Sequence, residues 1–202
     1  MLKRFFDIVF SFLGLVLLSP FFLLVAILIK REDGGAVFYR GLRVGLNGKT
    51  FRMFKFRTMV LNADKIGGPS TANDDPRITR IGRKIRKYKL DEIPQLINVF
   101  IGDMSVVGPR PEVPFYVEMF TQEERNILSV RPGITDLASI WNCDEGAVLA
   151  GSIDPEKAYM EKIRPGKIRL QLEYVNNRSF WMDMKIIFQT ILKILKRDKG
   201  LA

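Results

Sequence analysis

The chain of 202 residues has no histidine and one cysteine, Cys143. The first absence removes Ser-His-Asp and Cys-His chemistry, histidine metal ligands and a histidine general base. The second removes internal disulfides and cysteine-rich zinc sites. A lone cysteine reads as a small core residue rather than a nucleophile. Acidic charge is in short supply as well, with 22 Asp and Glu against 32 Lys and Arg and a formal net charge of +10. Partners are therefore expected to be anionic: phosphates, nucleic acid or an acidic membrane face. Any catalysis must be carried by carboxylates and cations. The length allows one ordinary domain plus an appendage, and no internal repeat or low-complexity tract is present.

Apolar sequence is abundant near the start. From Ile8 to Ile29 no residue is charged, a run of roughly 22 residues that is long enough to span a bilayer. A cleaved signal peptide is not expected. The apolar part is too long, and Ile29-Lys30-Arg31-Glu32-Asp33 offers no small-residue cleavage site. Ser19-Pro20 sits near the middle, where proline removes an N–H and kinks a helix. Lys3 and Arg4 precede the run and Lys30 and Arg31 follow it, so the positive-inside rule assigns both ends to the cytoplasm. One segment satisfies both by entering the membrane, bending at Ser19-Pro20 and leaving by the same face. Each arm then holds about a dozen residues, about 18 Å of helix, too short to cross alone. Asp7 fits this reading as an interfacial carboxylate with Arg4 as its expected partner. An ordinary kinked spanning helix is the alternative.

The remainder divides into short elements. Ala36–Arg40 and Lys49–Arg57 read as strands joined through the tight-turn pair Asn47-Gly48. Lys55 and Arg57 would share a face of the second strand, as a solvated edge or a two-pronged phosphate clamp. Gly45 to Thr50 imitates the end of a P-loop, but Arg43 stands where the pattern needs glycine and the context is a hairpin. Leu61 to Pro76 is polar, with Gly67-Gly68-Pro69, and reads as a long loop suited to a lid. A basic helix follows, with Ile81, Ile85 and Tyr88 on one side and Arg80, Arg83, Lys84, Arg86, Lys87 and Lys89 around them. Solvent or anionic lipid suits most of these cations, while Arg86 is close enough in sequence to Asp91 to serve a phosphate there.

Asp91-Glu92 stands where the next helix begins, with Asp91 as N-cap, Pro94 in the first turn and Gly102 as the stop. Adjacent carboxylates there can gather phosphate oxygens and a divalent cation. An N-cap with a surface glutamate explains the pair equally well at this point. Gly108-Pro109-Arg110-Pro111 and Val130-Arg131-Pro132-Gly133-Ile134-Thr135 are rigid turns that each present an arginine. Further helices are expected near Glu112–Phe120, Gln122–Leu128 and Pro155 to about Asn176. The last, from about Met182 to Lys199, has Met184, Ile187, Phe188, Ile191, Leu192 and Leu195 on one side. Lys185, Lys193, Lys196, Arg197 and Lys199 lie mostly toward the other, as in a helix lying on a membrane or docked on a core. The fold class is mainly α with a small β-hairpin (α+β). A re-entrant membrane helix over residues 1–32 would precede a compact catalytic domain over 33–202 at the membrane surface.

Taken in order, these motifs resemble the bacterial sugar transferases, the monotopic phosphoglycosyl transferase family, over essentially the whole chain. The resemblance rests on Lys3-Arg4-x-x-Asp7-x-x-x-Ser11, Ser19-Pro20, Phe54-Lys55-Phe56-Arg57-Thr58-Met59 and Asp75-Pro76-Arg77-Ile78-Thr79-Arg80-Ile81-Gly82. It continues through Leu90-Asp91-Glu92-Ile93-Pro94-Gln95, Gly102-Asp103-Met104-Ser105-x-x-Gly108-Pro109-Arg110-Pro111, Arg131-Pro132-Gly133-Ile134-Thr135 and Ser179-Phe180-x-x-Asp183-x-Lys185-Ile186. It implies a re-entrant helix broken at Ser19-Pro20 and a catalytic domain on the cytoplasmic face of the bacterial inner membrane. It also implies Mg²⁺, a UDP-linked sugar donor, a polyprenyl (undecaprenyl) phosphate acceptor and a phosphosugar–aspartate intermediate, with UMP released. By resemblance Asp91 is the nucleophile, Glu92 the partner carboxylate that assists the metal or the acceptor, and Arg86 a phosphate contact. Lys55, Arg57, Arg110 and Arg131 are the further candidates for binding substrate phosphate. Asp136-Leu137 replaces the Gly-Trp usual in the family after Arg131-Pro132-Gly133-Ile134-Thr135, and Gln171 replaces an Asp, so the donor sugar is not carried over. Membrane lipid is an expected partner, and packing beside lipid leaves a homodimer open. Nucleic acid is not expected, since it would leave the Asp-Glu pair and the Pro-Arg-Pro loop without purpose and no aromatic stacking platform is evident.

Overall fold

Ser19-Pro20 divides the apolar run into two helices in the computed structural model, which describes residues 2–68 and 70–199, with side chains as far as Lys193. Pro69 of the expected loop and the side chains of Leu195, Lys196, Arg197 and Lys199 of the expected amphipathic helix lie outside the described residues. Helix α1 spans Leu2–Leu17 and α2 spans Ser19–Asp33, bent by 60° at the break. Pro20 falls in the first turn of α2, where a missing N–H costs nothing, and Ser19 Oγ donates back to the Val16 carbonyl at 2.8 Å. Among the described residues no single helix is long and apolar enough to cross a membrane. The bent pair together reaches that length, as a broken span or a re-entrant loop. Phe5, Phe12, Leu13, Val16, Leu17 and Leu23 stand exposed along it, a larger apolar surface than water normally faces.

The other side of α1 is polar and buried against the rest of the chain. Asp7, 3% exposed, accepts hydrogen bonds from Ser105 Oγ at 3.0 Å and the Val106 N–H at 2.9 Å. Arg4 does not pair with Asp7, contrary to expectation. It donates to the Val99 and Phe100 carbonyls at 2.6 and 2.9 Å, at the C-terminal end of α4 (Gln95–Ile101). The unpaired carbonyls of a helix end attract a guanidinium, and a carboxylate buried beside a free N–H is satisfied there. Lys3 reaches Asp183 at 2.5 Å and the Val107 carbonyl at 2.9 Å. Three polar side chains within two turns therefore fasten α1 to the domain.

The hairpin is β1 (Phe38–Val44) against β2 (Thr50–Phe56), antiparallel, with Phe38 opposite Phe56 and Val44 opposite Thr50. Asn47 and Gly48 take positive φ (54° and 75°) in the turn, as their residue types favour. β1 begins two residues later than expected and runs on to Val44, because it must match the full length of β2. On one face Phe56 is buried with Val25 and Ile29 of α2 and Ile85. On the other, Met53 enters the main core with Val99, Met104, Val107, Tyr174 and Ile186.

Helix α3 is Arg80–Lys87, N-capped by the Thr79 hydroxyl, which accepts from the Gly82 N–H at 2.9 Å. After α4 come β3 (Ser105–Val107) and α5 (Pro114–Glu118), then β4 (Gly133–Thr135), which pairs in parallel with β3. This second, two-stranded sheet was not foreseen. Three residues per strand carry no readable alternation. The expected helix over Gln122–Leu128 is a 3₁₀ stretch at Glu124–Ser129, and the one near Glu112 begins only at Pro114. Short helices α6 (Leu137–Trp141), α7 (Glu145–Leu149) and α8 (Pro155–Ala158) lead through a π turn at Tyr159–Ile163 into α9 (Arg164–Asn177). Pro165 cannot donate to the turn before it, and the helical ladder widens there. Helix α10 (Phe180–Lys199) closes the fold. The chain is mainly helical with small sheets, as expected from its sequence.

Asp7→Ala leaves the Ser105 hydroxyl and the Val106 N–H without partners in the interior, a loss of about 2–4 kcal/mol of stability. The expected outcome is a lower midpoint of denaturant or thermal unfolding in detergent. An unchanged midpoint would remove Asp7 as the fastening between α1 and the domain.

Candidate active site

Lys89 adopts a left-handed backbone (φ 56°) and turns the chain from α3 into a 3₁₀ turn, Leu90–Glu92. Asp91 is therefore not the N-cap of the next helix, as the sequence suggested. Pro94 holds that position and α4 has no side-chain cap. The extra turn faces both carboxylates toward β2 instead. Lys55 Nζ donates to Glu92 Oε1 at 2.8 Å and lies 3.8 Å from Asp91 Oδ2. Arg110 grips Glu92 with both guanidinium nitrogens, Nη1 to Oε2 at 3.0 Å and Nη2 to Oε1.

The two carboxylates are unequally occupied. Glu92 has both oxygens engaged. Burial pushes its carboxyl up, but the charges of Arg110 and Lys55 override this and hold it well below the usual carboxylate range. Burial pulls the Lys55 ammonium down, partly offset by Glu92, while Glu92 holds the Arg110 guanidinium firmly charged. Asp91 is 6% exposed, and its Oδ1 is buried without a hydrogen-bond partner. A carboxylate oxygen with free lone pairs, on a carboxylate whose other oxygen lies near the Lys55 ammonium, has the makings of a nucleophile or a metal ligand.

Arg110 is held by a backbone knot. The Gly108 N–H donates to the Thr135 carbonyl and the Gly133 N–H to the Pro109 carbonyl, both at 3.0 Å. The two glycines touch so closely that a Cβ on Gly133 would lie 2.1 Å from the Gly108 nitrogen. The Arg110 N–H donates to Asp136 Oδ2 at 3.1 Å. Gln171 Nε2 donates to the same oxygen at 3.2 Å and to the Arg110 carbonyl at 3.3 Å. Asp136 Oδ1 meanwhile accepts from the Ser139 N–H at 2.7 Å and so caps α6. Asp136 and Gln171, the two unusual residues of the sequence, are thus in contact with each other. Both are buried, at 0% and 1% exposure, against the Arg110 backbone.

The remaining candidates go elsewhere. Arg57 lies just beyond β2 and does not share the site with Lys55. Its Nη1 pairs with Asp33 Oδ2 at 2.6 Å, its Nη2 with Oδ1, and its Nε donates to the Ala36 carbonyl at 2.6 Å. It clamps the end of α2 to the hairpin. Arg131 is exposed and donates to the Gly102 carbonyl at 2.9 Å, at the far end of α4 from Asp91. Arg86 is half-buried in the last turn of α3, with no side-chain hydrogen bond or ion pair to any described residue. The site thus gathers Asp91, Glu92, Lys55 and Arg110, and leaves Arg57 and Arg131 apart. Sequence reading missed a buried charge group behind it. Lys167 of α9, 5% exposed, pairs with Glu112 at 2.7 Å and Glu145 at 3.1 Å. Nothing local marks such a lysine, since its partners come from distant segments.

The described residues contain no group of three or more His, Cys, Asp or Glu side chains that could hold a metal ion. Asp91, with its one unpartnered oxygen beside Glu92, suits an ion that takes one or two carboxylates and completes its shell with water and substrate phosphate, as magnesium does.

The Arg57 hydrogen bond leads in pushing the Asp33 carboxyl down from 3.8 to about 2. A carboxylate so depressed adds stability that is complete above its unfolded value and is lost as pH falls toward the folded one. Wild type should therefore lose stability more steeply than Asp33→Asn between about pH 4 and 2, read from melting temperatures across that window. Parallel slopes would show that the clamp adds nothing.

Comparison with known proteins gives a consistent result. A family model described as bacterial sugar transferase matches residues 1–197. The chain is 41% identical over 207 residues to the exopolysaccharide production protein PSS of Rhizobium leguminosarum bv. phaseoli, covering 98% of each. It is 39% identical over 199 residues to the UDP-glucose:undecaprenyl-phosphate glucose-1-phosphate transferase of Escherichia coli (strain K12), covering 96% of this chain and 40% of that protein. It is 38% identical over 199 residues to the UDP-N-acetylgalactosamine-undecaprenyl-phosphate N-acetylgalactosaminephosphotransferase of Aeromonas hydrophila, covering 96% and 44%.

Proposed function

The chain belongs to the bacterial sugar transferase family, and from that premise we propose that it moves a sugar-1-phosphate from a UDP-sugar to undecaprenyl phosphate. It would thereby start the assembly of an exopolysaccharide or O-antigen glycan. The names of its relatives support both substrates, and they differ in the sugar. The observation that carries the mechanism is the unpartnered Asp91 Oδ1 beside a Glu92 locked by Lys55 and Arg110.

In this reading Asp91 attacks the β-phosphorus of the donor, the bond to the α-phosphate oxygen breaks, and UMP leaves. An acyl phosphate then links Asp91 to the sugar phosphate. The phosphate of undecaprenyl phosphate attacks that phosphorus, releasing the carboxylate and giving undecaprenyl-diphosphate-sugar. A carboxylate is a weak nucleophile, so the charge on the diphosphate must first be neutralised. Asp91, with Glu92 beside it, would hold Mg²⁺, which when bound supplies that neutralisation and polarises phosphate oxygens. Lys55 and Arg110 contribute fixed positive charge from the protein side, and burial strengthens it.

The bent helix pair supports a seat on the bacterial inner membrane, inserted from the cytoplasmic face without crossing. Its exposed apolar surface would lie in the lipid. The polar side of α1, bonded to β3 and to the end of α4, would hold the catalytic domain at the headgroup plane where the acceptor's phosphate lies.

Asp91→Asn is expected to abolish UMP release while leaving folding and membrane association unchanged. Wild type given UDP-sugar alone should accumulate a phosphosugar adduct on Asp91, detectable by mass spectrometry. Release of UDP instead of UMP, or normal turnover by Asp91→Asn with asparagine confirmed at that position, would sink the mechanism.

A further inference from the structure

Lys55 and Arg110 are both bonded to Glu92, and the structure holds a further cation beside them. Strand pairing places Tyr39 opposite Lys55, Gly41 opposite Met53 and Arg43 opposite Phe51. Paired residues share a face. Met53 is in the main core and Lys55 reaches Asp91 and Glu92, so Tyr39, Gly41 and Arg43 line the edge of the same site. Arg43 Nη1 donates to the Leu42 carbonyl at 2.8 Å, and no described carboxylate forms an ion pair with Arg43. Glu92, Glu112 and Arg110 are all within its electrostatic reach. Tyr39 is 45% exposed, and its hydroxyl bonds to none of the described residues. Its ring lies over Gly41. A Cβ there would stand 2.7 Å from Tyr39 Cε1 and 3.1 Å from Arg43 Nη1. The missing side chain is what lets ring and guanidinium come together on one strand.

A flat exposed ring next to an unpaired guanidinium suits a ligand that joins a planar base to phosphates. Bases stack on aromatic rings, and an arginine fork matches phosphate oxygens. A polyprenyl phosphate has no planar ring and would have no use for Tyr39. We propose that Tyr39, Gly41 and Arg43 form the nucleotide subsite of the donor, with the base on the Tyr39 ring and a phosphate on Arg43. This rests on the donor being a nucleoside-diphosphate sugar.

The test is calorimetric binding of UMP to the full-length protein in nanodiscs, alongside separate KM values for UDP-sugar and undecaprenyl phosphate. Tyr39→Ala should weaken UMP about 5- to 50-fold and Tyr39→Phe less than about twofold, since stacking needs the ring and not the hydroxyl. Arg43→Gln should weaken UMP about 10-fold or more and raise the donor KM, with partial recovery in Arg43→Lys. Gly41→Val should also weaken UMP by displacing the ring. The acceptor KM should stay constant throughout. Unchanged UMP binding in Tyr39→Ala and Arg43→Gln, with melting curves showing both folded, would overturn the subsite. So would a rise confined to the acceptor KM, or a wild type that does not bind UMP. Normal UMP release by wild type with silent variants would remove the subsite and leave the transferase reading intact. UMP binding lost in the variants, with no transfer by wild type, would do the reverse.

Discussion

The buried ionic lock among Glu92, Arg110 and Lys55 is the constraint on which the rest of the site depends. Three charges removed from water are costly singly, and they are tolerable together because Arg110 meets Glu92 two-pronged and Lys55 completes the carboxylate. The lock joins three distant segments: β2, the turn before α4, and the Gly108–Pro111 loop. It also decides the difference between adjacent carboxylates. Glu92 is consumed by the cations, and Asp91 keeps a free oxygen. A chain without histidine can distinguish two carboxylates in this way, through the occupancy of their lone pairs.

The lock is joined to the bent helix pair by short paths. Arg4 binds the carbonyls at the end of α4, whose other end follows Asp91 and Glu92 directly. Asp7 holds β3, and β3 leads into the loop that carries Arg110. The same first two turns of α1 therefore brace both sides of the lock. The apolar helix is not a detachable anchor, because its polar face belongs to the interior of the catalytic domain. The paired departures at Asp136 and Gln171 act on the third side, buried against the Arg110 backbone.

Much of this was legible in the chain. The helix break follows from proline lacking an N–H and the hairpin from Asn47-Gly48; the lack of histidine left carboxylates and cations as candidates, and the family resemblance singled out Asp91-Glu92 among them. The cap assigned to Asp91 was misread because an N-cap and a 3₁₀ turn before a helix share the same residues. The left-handed backbone at Lys89, with both carboxylates turned toward Lys55, separates them. The short parallel strands and the ring of Tyr39 over Gly41 escaped for a similar reason, since each is a relation between segments.

The residue pattern was sufficient for whatever depends on backbone chemistry and local periodicity: the bend at Ser19-Pro20, the strand turn, the basic helix, and the acidic pair with prolines about it. Which cations serve that pair could be settled only by packing. Lys55 and Arg57 are two residues apart and nearly equivalent as text, yet one enters the site and the other clamps Asp33. Arginine and lysine side chains are long enough to find any carboxylate within several ångströms. Burial makes an unpaired charge too costly to leave, so the final pairing is chosen by the carboxylates that the tertiary fold brings within reach.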